Sequence, residues 1–255
     1  MITIASWNVN SIRSRLDHLR LWLEKNKIDI LCLQETKVQD TDFPKQTFSE
    51  IGFQTEFTGQ KSYNGVCILF NNKARLFCKE LQGLDDDQKR LIAISKDNSL
   101  FVNIYVPNGS SMGSEKFQYK IRWLDKFCDW IKDRCKEFEN VFLLGDFNIA
   151  PDDLDVHDPD EWKDKILCSP TEREYIDKLK SIGFIDLFRH KNKKLKAFSW
   201  WDYRAASFRR NRGLRIDLIL AHTKSELNFD CWIDSSPRGW EKPSDHTPVL
   251  ASIKI

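Results

Sequence analysis

The chain has 255 residues, with 40 Lys and Arg against 38 Asp and Glu and a formal net charge of +2. That length holds one large domain or two small ones, and no apolar run approaches a membrane span. The even charge balance excludes a strongly basic tail protein, and the 7 Cys lack any C-x-x-C pair, so they read as reduced thiols of a cytosolic protein rather than as a zinc site.

The opening residues lack a basic segment followed by a long apolar one, so no secretory signal is expected. A short strand is expected over residues 2–7, then a helix over 14–25 with Leu16, Leu19, Leu21 and Leu23 on its apolar side. Residues 28–33 are near-continuously apolar, which suits a buried strand. A short helix around Phe48 stops at Gly52, and strand-like runs follow at 65–70, 75–80, 91–95 and 100–106. Residues 116–138 carry a long amphipathic helical pattern, and 141–144 form another buried strand. Ser169, Pro170 and Glu172 supply an N-cap, a first-position proline and an acid at the third position, so a helix starts there and ends near Gly183. The late strands are 214–220, 229–233 and 249–255. Strands outnumber helices and often follow one another directly. An α/β fold of mixed sheets packed face to face, with helices outside, fits that order. A single doubly wound parallel sheet would need a helix after nearly every strand. With no repeat and no low-complexity linker, residues 1–255 are expected to form a single domain.

Polar residues collect at the ends of these strands: Asn8, Glu35 in L-Q-E-T-K, Asp146 and Asn148 in G-D-F-N, Asp217 in L-R-I-D-L, and Asp245 with His246 before the last strand. Each one singly reads as a cap or turn residue. Alternation along a strand sends Asp146 and Asn148 to one side and Phe147 to the other, and it places Asp217 beside Arg215. Such a cluster at five strand ends implies a cation or a wet cleft, because unpaired carboxylates are costly to bury. Oxygen ligands without Cys favour Mg²⁺, with Mn²⁺ as the alternative, over zinc. His246 beside Asp245 then reads as an imidazole whose tautomer the carboxylate fixes.

The ordered set W-N-V-N, L-Q-E-T-K, Y-V-P-N-G, G-D-F-N, G-L-R-I-D-L and S-D-H-T-P resembles the endonuclease/exonuclease/phosphatase superfamily. The stretch F-S-W-W-D-Y-R at 198–204, followed by N-R-G-L-R-I-D, is similar to the exonuclease III group of abasic-site endonucleases. The resemblance runs over residues 4–248 and implies a four-layer α/β sandwich. It implies a metal-dependent hydrolase that nicks DNA 5′ to abasic sites, with 3′-to-5′ exonuclease and 3′-end-cleaning activities beside it. The partner is then double-stranded DNA with abasic sites or 3′ ends, and the enzyme is expected to be a monomer. Glu35 resembles the principal metal ligand, with Asn8 close by. Asp146 resembles the group that aligns and deprotonates the attacking water, and Asn148 orients that carboxylate. Tyr105 resembles a phosphate or leaving-oxygen contact and Asp217 a supporting carboxylate. His246 resembles a phosphate-contacting imidazole with Asp245 as its orienting partner. Asp146, Asn148, Asp245 and His246 would surround a second metal position if two metals are used.

Two basic runs are candidates for DNA contact: residues 189–196, read mainly as a solvated face, and Arg209, Arg210 and Arg212. The second lies nearer the expected cleft, with Tyr203 and Arg204 beside it. Trp200 is expected to wall a pocket for a baseless sugar and Trp201 to be core. Two positions depart from the family pattern: Leu214 stands where some relatives carry tryptophan, and Leu187 where Ser or Thr is usual. The rival readings are a small-molecule or lipid phosphodiesterase of the same superfamily and a catalytically silent DNA-binding module.

Overall fold

A computed structural model describes residues 1–71 and 73–254, so Ile255, at the end of the last expected strand, lies outside the described residues. The first strands are β1 (Ile2–Asn8), β2 (Ile30–Gln34), β3 (Gln54–Thr58) and β4 (Val66–Phe70). They are followed by β5 (Arg75–Cys78), β6 (Leu91–Lys96), β7 (Ser99–Tyr105) and β8 (Asn140–Asp146). The last are β9 (Ile185–Asp186), β10 (Asp217–Thr223), β11 (Asn228–Ile233) and β12 (Val249–Lys254). The helices are α1 (Leu16–Lys25), α2 (Lys45–Glu50), α3 (Glu115–Glu137), α4 (Pro159–Trp162), α5 (Pro170–Ile182) and α6 (Leu187–Lys191).

Two six-stranded mixed sheets result, ordered β11-β12-β1-β2-β4-β3 and β5-β6-β7-β8-β10-β9. Their inner faces meet through Ile4, Ile30 and Ile68 on one side and Phe101, Phe142 and Ile219 on the other. The outer face of the first sheet carries Leu31 and Leu69 against Leu19, Trp22 and Phe48 of α1 and α2. The outer face of the second carries Val102 and Leu143 against Trp123, Phe127, Ile176 and Leu179 of α3 and α5. Helix, sheet, sheet, helix is the four-layer sandwich. It also explains the apolar runs: in β2, Ile30 and Cys32 enter the inner core while Leu31 and Leu33 enter the outer one.

Local signals behave as their chemistry dictates. Ser169 and Glu172 close a capping box at the start of α5, and Gly183, at φ 114°, ends it in the left-handed region. In α1 the buried side is Leu19, Trp22 and Leu23, and Leu21 is exposed, because Trp22 takes the core-facing place at helical spacing. Residues 214–216 are not strand: Leu214 makes isolated bridges to Val156 and Trp200 instead, and β10 begins at Asp217. β3, α4, β9 and α6 were not expected. Edge strand Q-T-E-F-T is too polar to stand out, and the others are too short to show a period. Among the described residues no helix is long and apolar enough to cross a membrane.

The topology gathers polar residues at one edge. β1 and β2 run parallel, as do β7 and β8, so their carboxyl ends lie side by side. Antiparallel β10 begins where β8 ends, and antiparallel β12 begins beside β1. In register, Asn8 sits opposite Gln34, Tyr105 opposite Asp146, and Asp217 also opposite Asp146.

Candidate active site

At that edge the Asn8 side-chain amide donates to Glu35 Oε1 at 2.8 Å and to Asp146 Oδ2 at 2.9 Å. Ligand atoms of Glu35, Asp146 and His246 all lie within 4.8 Å of one another. His246 Nδ1 is 2.8 Å from Asp217 Oδ2, and its Nε2 is 3.7 Å from Asp146 Oδ2. The Ser199 hydroxyl donates to Asp217 Oδ2 at 2.7 Å and accepts the main-chain N–H of Ile216 and Asp217, so the carboxylate is anchored. Its other oxygen, Asp217 Oδ1, is buried with no hydrogen-bond partner among the described residues.

Asp217, not Asp245, is therefore the orienting partner of His246. Neighbours in an extended segment point to opposite sides, and Asp245 faces away, accepting from Trp200 Nε1 at 3.0 Å and Asn10 Nδ2 at 2.9 Å. Nor does Asp217 lean on Arg215. The Arg215 guanidinium is buried against Asp155 and Asp186.

Glu35 and Asn148 both sit at positive φ, 52° and 49°. Asn148 is thus not extended. The chain turns back so that its N–H donates to Asp146 Oδ1 at 2.9 Å, while Phe147 enters the core as alternation required. The Asn148 amide is fixed at both ends, donating to the Val106 carbonyl at 3.0 Å and accepting from Asn108 Nδ2 at 3.0 Å. Lys37 pairs with Glu35 Oε2 at 2.8 Å and donates to Asn10 Oδ1 at 2.6 Å. Tyr105 lies under the Arg90 guanidinium, 4.7 Å from its ring centre. Burial, with the carboxylates of Glu35 and Asp146, holds its phenol well above the ordinary value, so it keeps its proton.

Negative charge is in excess here: Glu35, Asp146, Asp217 and Asp245 against Lys37 and His246. Burial alone would lower the His246 pKa, but the Asp217 and Asp146 carboxylates outweigh it and push it up to about 10. Burial also raises Asp146, to about 7, with Asp217 and Glu35 adding to the rise and His246 opposing it. A divalent cation held there would relieve that excess and lower both values. The donor set, oxygen-rich with one imidazole and no thiolate, fits a hard ion. Asn148 and Asp245, expected around a second metal, direct their oxygens to Asn108, and to Asn10 and Trp200, respectively.

Trp201 is core, 3% exposed and edge-on to Phe208. Trp200 is half-buried at the edge of the site, but its ring meets Trp162 edge-on with centroids 6.4 Å apart, and Leu214 and Ile216 are buried in the same cluster. Trp200 thus meets Trp162 along one side and stays partly exposed. Leu214 is fully buried in that cluster. Leu187 is buried in the inner core and offers no hydroxyl. Tyr203 is exposed, its hydroxyl donating to the Pro243 carbonyl and accepting from Arg15. Arg209 and Arg210 are exposed, Arg204 pairs with Asp202, and Arg212 lies 3.6 Å from Glu161. In the 189–196 run, Arg189 is bound to Asp155 and caps the Leu195 carbonyl, so it serves the fold.

Several contributors went unpredicted: Asn10, Lys37, Arg90, Asn108 and Ser199. Lys37 and Asn108 lie inside the L-Q-E-T-K and Y-V-P-N-G stretches and could have been found there. Ser199 and Asn10 likewise lie inside the F-S-W-W-D-Y-R and W-N-V-N stretches. A groove of about 530 Å³ opens beside Tyr105, lined by Tyr63, Arg90, Asn108, Lys116 and Tyr119 among others.

Comparison with known proteins agrees with this geometry. The sequence pattern of the endonuclease/exonuclease/phosphatase family matches residues 5–246. An exodeoxyribonuclease III of Haemophilus influenzae is 34% identical, covering 98% of both chains. A 3′ phosphatase from Neisseria, solved with a product DNA hairpin, superposes with a TM-score of 0.95 at 37% identity over all of both chains. An AP endonuclease from Archaeoglobus fulgidus gives 0.93 at 36% identity, again over the full length of both. The chain belongs to the endonuclease/exonuclease/phosphatase family, within its exonuclease III group.

Proposed function

We propose that this protein is a DNA repair phosphodiesterase that nicks the backbone 5′ to abasic sites and trims or unblocks 3′ ends, acting as a monomer. The convergence of Glu35, Asp146 and His246 beside a groove lined by cations and aromatics supports it best. The relatives' activities share one step, attack of water on the phosphorus of an ester to a 3′ oxygen.

In that step a water oxygen bonds to phosphorus while the bond from phosphorus to O3′ breaks, leaving a 3′ hydroxyl and either a 5′ phosphate, from a diester, or inorganic phosphate, from a terminal 3′ phosphate. Asp146 takes the water's proton. Its two oxygens are held by Asn8 and by the Asn148 N–H, which aims the remaining lone pairs at the water. His246, steered through Nδ1 by Asp217, presents Nε2–H to a phosphoryl oxygen. Tyr105, kept protonated, supplies a proton at the departing O3′. Glu35, with Asn8 beside it, would hold Mg²⁺, or Mn²⁺ in its place, and the ion would neutralise charge on the phosphoryl oxygens. Arg209, Arg210 and Arg212 contact the flanking phosphates, with Tyr203 and Arg204 at the same face.

The test is a labelled duplex with one abasic analogue, incubated with Mg²⁺ and then with a chelator. Nicking on the 5′ side with a 3′ hydroxyl product, abolished by chelation, is the expected result. No cleavage of that duplex, with turnover of a small phosphodiester or a lipid phosphate, would overturn the reading.

A further inference from the structure

We propose that Lys120, a residue the hydrolytic step does not use, is a positioning residue for the Asp146–Asn148 turn. Its ammonium sits with no exposed surface under the site, inside α3. It donates to the Asn148 carbonyl at 2.6 Å and the Asn108 carbonyl at 3.3 Å, and it pairs with the Glu172 carboxylate. Three donors thus meet three acceptors, so the group is saturated. Glu172 in turn accepts the N–H groups of Leu167 and Ser169 and the Ser169 hydroxyl. One buried ion pair therefore ties α3, the start of α5 and the two loops that carry Asn108 and Asn148.

Burying two charges is not an efficient way to stabilise a fold, since a well-packed apolar pair often does as well or better. What an apolar pair could not do is hold two main-chain carbonyls at a fixed separation. Asn148 and Asn108 are the residues whose side chains bond each other at 3.0 Å, and Asn148 carries the N–H that aims Asp146. The turn they form is left-handed at Asn148, a conformation asparagine tolerates, and the Lys120 bond to its carbonyl fixes where that turn sits. The chain is also shaped to admit the lysine stem. At Gly109, φ 91°, an added Cβ would stand 3.2 Å from Lys120 Cδ and 2.9 Å from Ile166 Cδ1. Misplacement of a catalytic group by about 1 Å costs on the order of 10² in rate.

This inference rests on the hydrolytic reading above, so the unmodified protein must first nick the abasic duplex; if it does not, that reading fails and not this one. The variant to compare is the paired substitution Lys120→Met with Glu172→Gln, which strands no charge and keeps the volume filled. At least tenfold lower kcat is expected, with KM for the abasic duplex within twofold of the parent and a folded circular dichroism spectrum. A kcat within threefold, or a loss that appears in KM instead, would overturn the proposal. If the pair fails to fold, Glu172→Asp carries the test, because it keeps both charges but withdraws the carboxylate by one methylene. A kcat lowered at least threefold at unchanged KM supports positioning, and an unchanged kcat overturns it.

Discussion

Replacing Arg215 by leucine should be among the most damaging changes that leave the hydrolytic residues intact. The guanidinium has no exposed surface, and it donates to Asp155 Oδ1 at 2.7 Å, Asp155 Oδ2 at 3.0 Å and Asp186 Oδ2 at 2.7 Å. Removing it strands two carboxylates, one fully buried and one nearly so; Asp155 retains Arg189, but Asp186 retains no cation. Breaking a buried pair in this way costs about 3–5 kcal/mol. For a domain of this size each kcal/mol moves Tm by about 2–4 °C, so a fall of about 6–20 °C is expected. The pH dependence fixes the cause. Burial would raise the Asp155 pKa, but Arg215 and Arg189 outweigh it and hold the carboxyl below the ordinary range. A lowered carboxyl contributes stability that is present above its unfolded value, about 3.9, and is lost as pH falls through the folded value. The gap between parent and variant should therefore be widest near neutrality and should close as pH falls and the stranded carboxylates of the variant take up protons. Urea and thermal melts of both proteins at several pH values measure it. A deficit under about 1 kcal/mol at pH 7, or one that grows on acidification, would refute the reasoning.

Asp146→Asn and His246→Ala should each lower turnover on the abasic duplex by at least about 10²–10³ with the fold intact, since each removes a group aimed at the reacting phosphate; near-parental nicking would cancel those roles. Replacing Arg209 and Arg210 together by serine should reduce the salt slope of DNA binding by about 1–2, read from binding isotherms across a salt series, because each exposed cation releases about one counterion. Trp200→Ala should uncover the Trp162 side of the cluster and change the ratio of abasic nicking to 3′-phosphate removal more than it lowers Tm; a large Tm loss with an unchanged ratio would make Trp200 a purely structural residue.

How much of this could be read from the chain depended on how local each signal was. Mixed sheets packed face to face were legible because strands follow one another directly, and the family resemblance implied the four layers; runs such as 28–33 read as strands because burial on both faces erases the polar alternation of a half-wet strand. The capping box at Ser169 is local chemistry and was legible residue by residue. The strand-end polar set was legible too, since strands end at an edge and Asn8, Glu35, Asp146 and Asp217 mark four of those ends. What failed was pairing across space. His246 is adjacent to Asp245 in sequence but takes Asp217, 29 residues away, because adjacency along an extended segment means opposite directions. Lys120 looked like one more charge on an amphipathic helix, and nothing in α3 told that its ammonium ends beneath Asn148. The contact of Trp200 with Trp162 was hidden for the same reason, as α4 is only four residues long and carries no period.

The most direct measurement is crystallographic: crystals of the protein soaked in Mn²⁺, with anomalous differences recorded near the manganese edge. The expected result is a peak against the Glu35 carboxylate, within reach of Asp146 and His246, that disappears in Glu35→Ala crystals. Soaked crystals with no peak there, or with manganese bound only elsewhere on the surface, would contradict a divalent ion held at the joined carboxyl ends of the parallel strands.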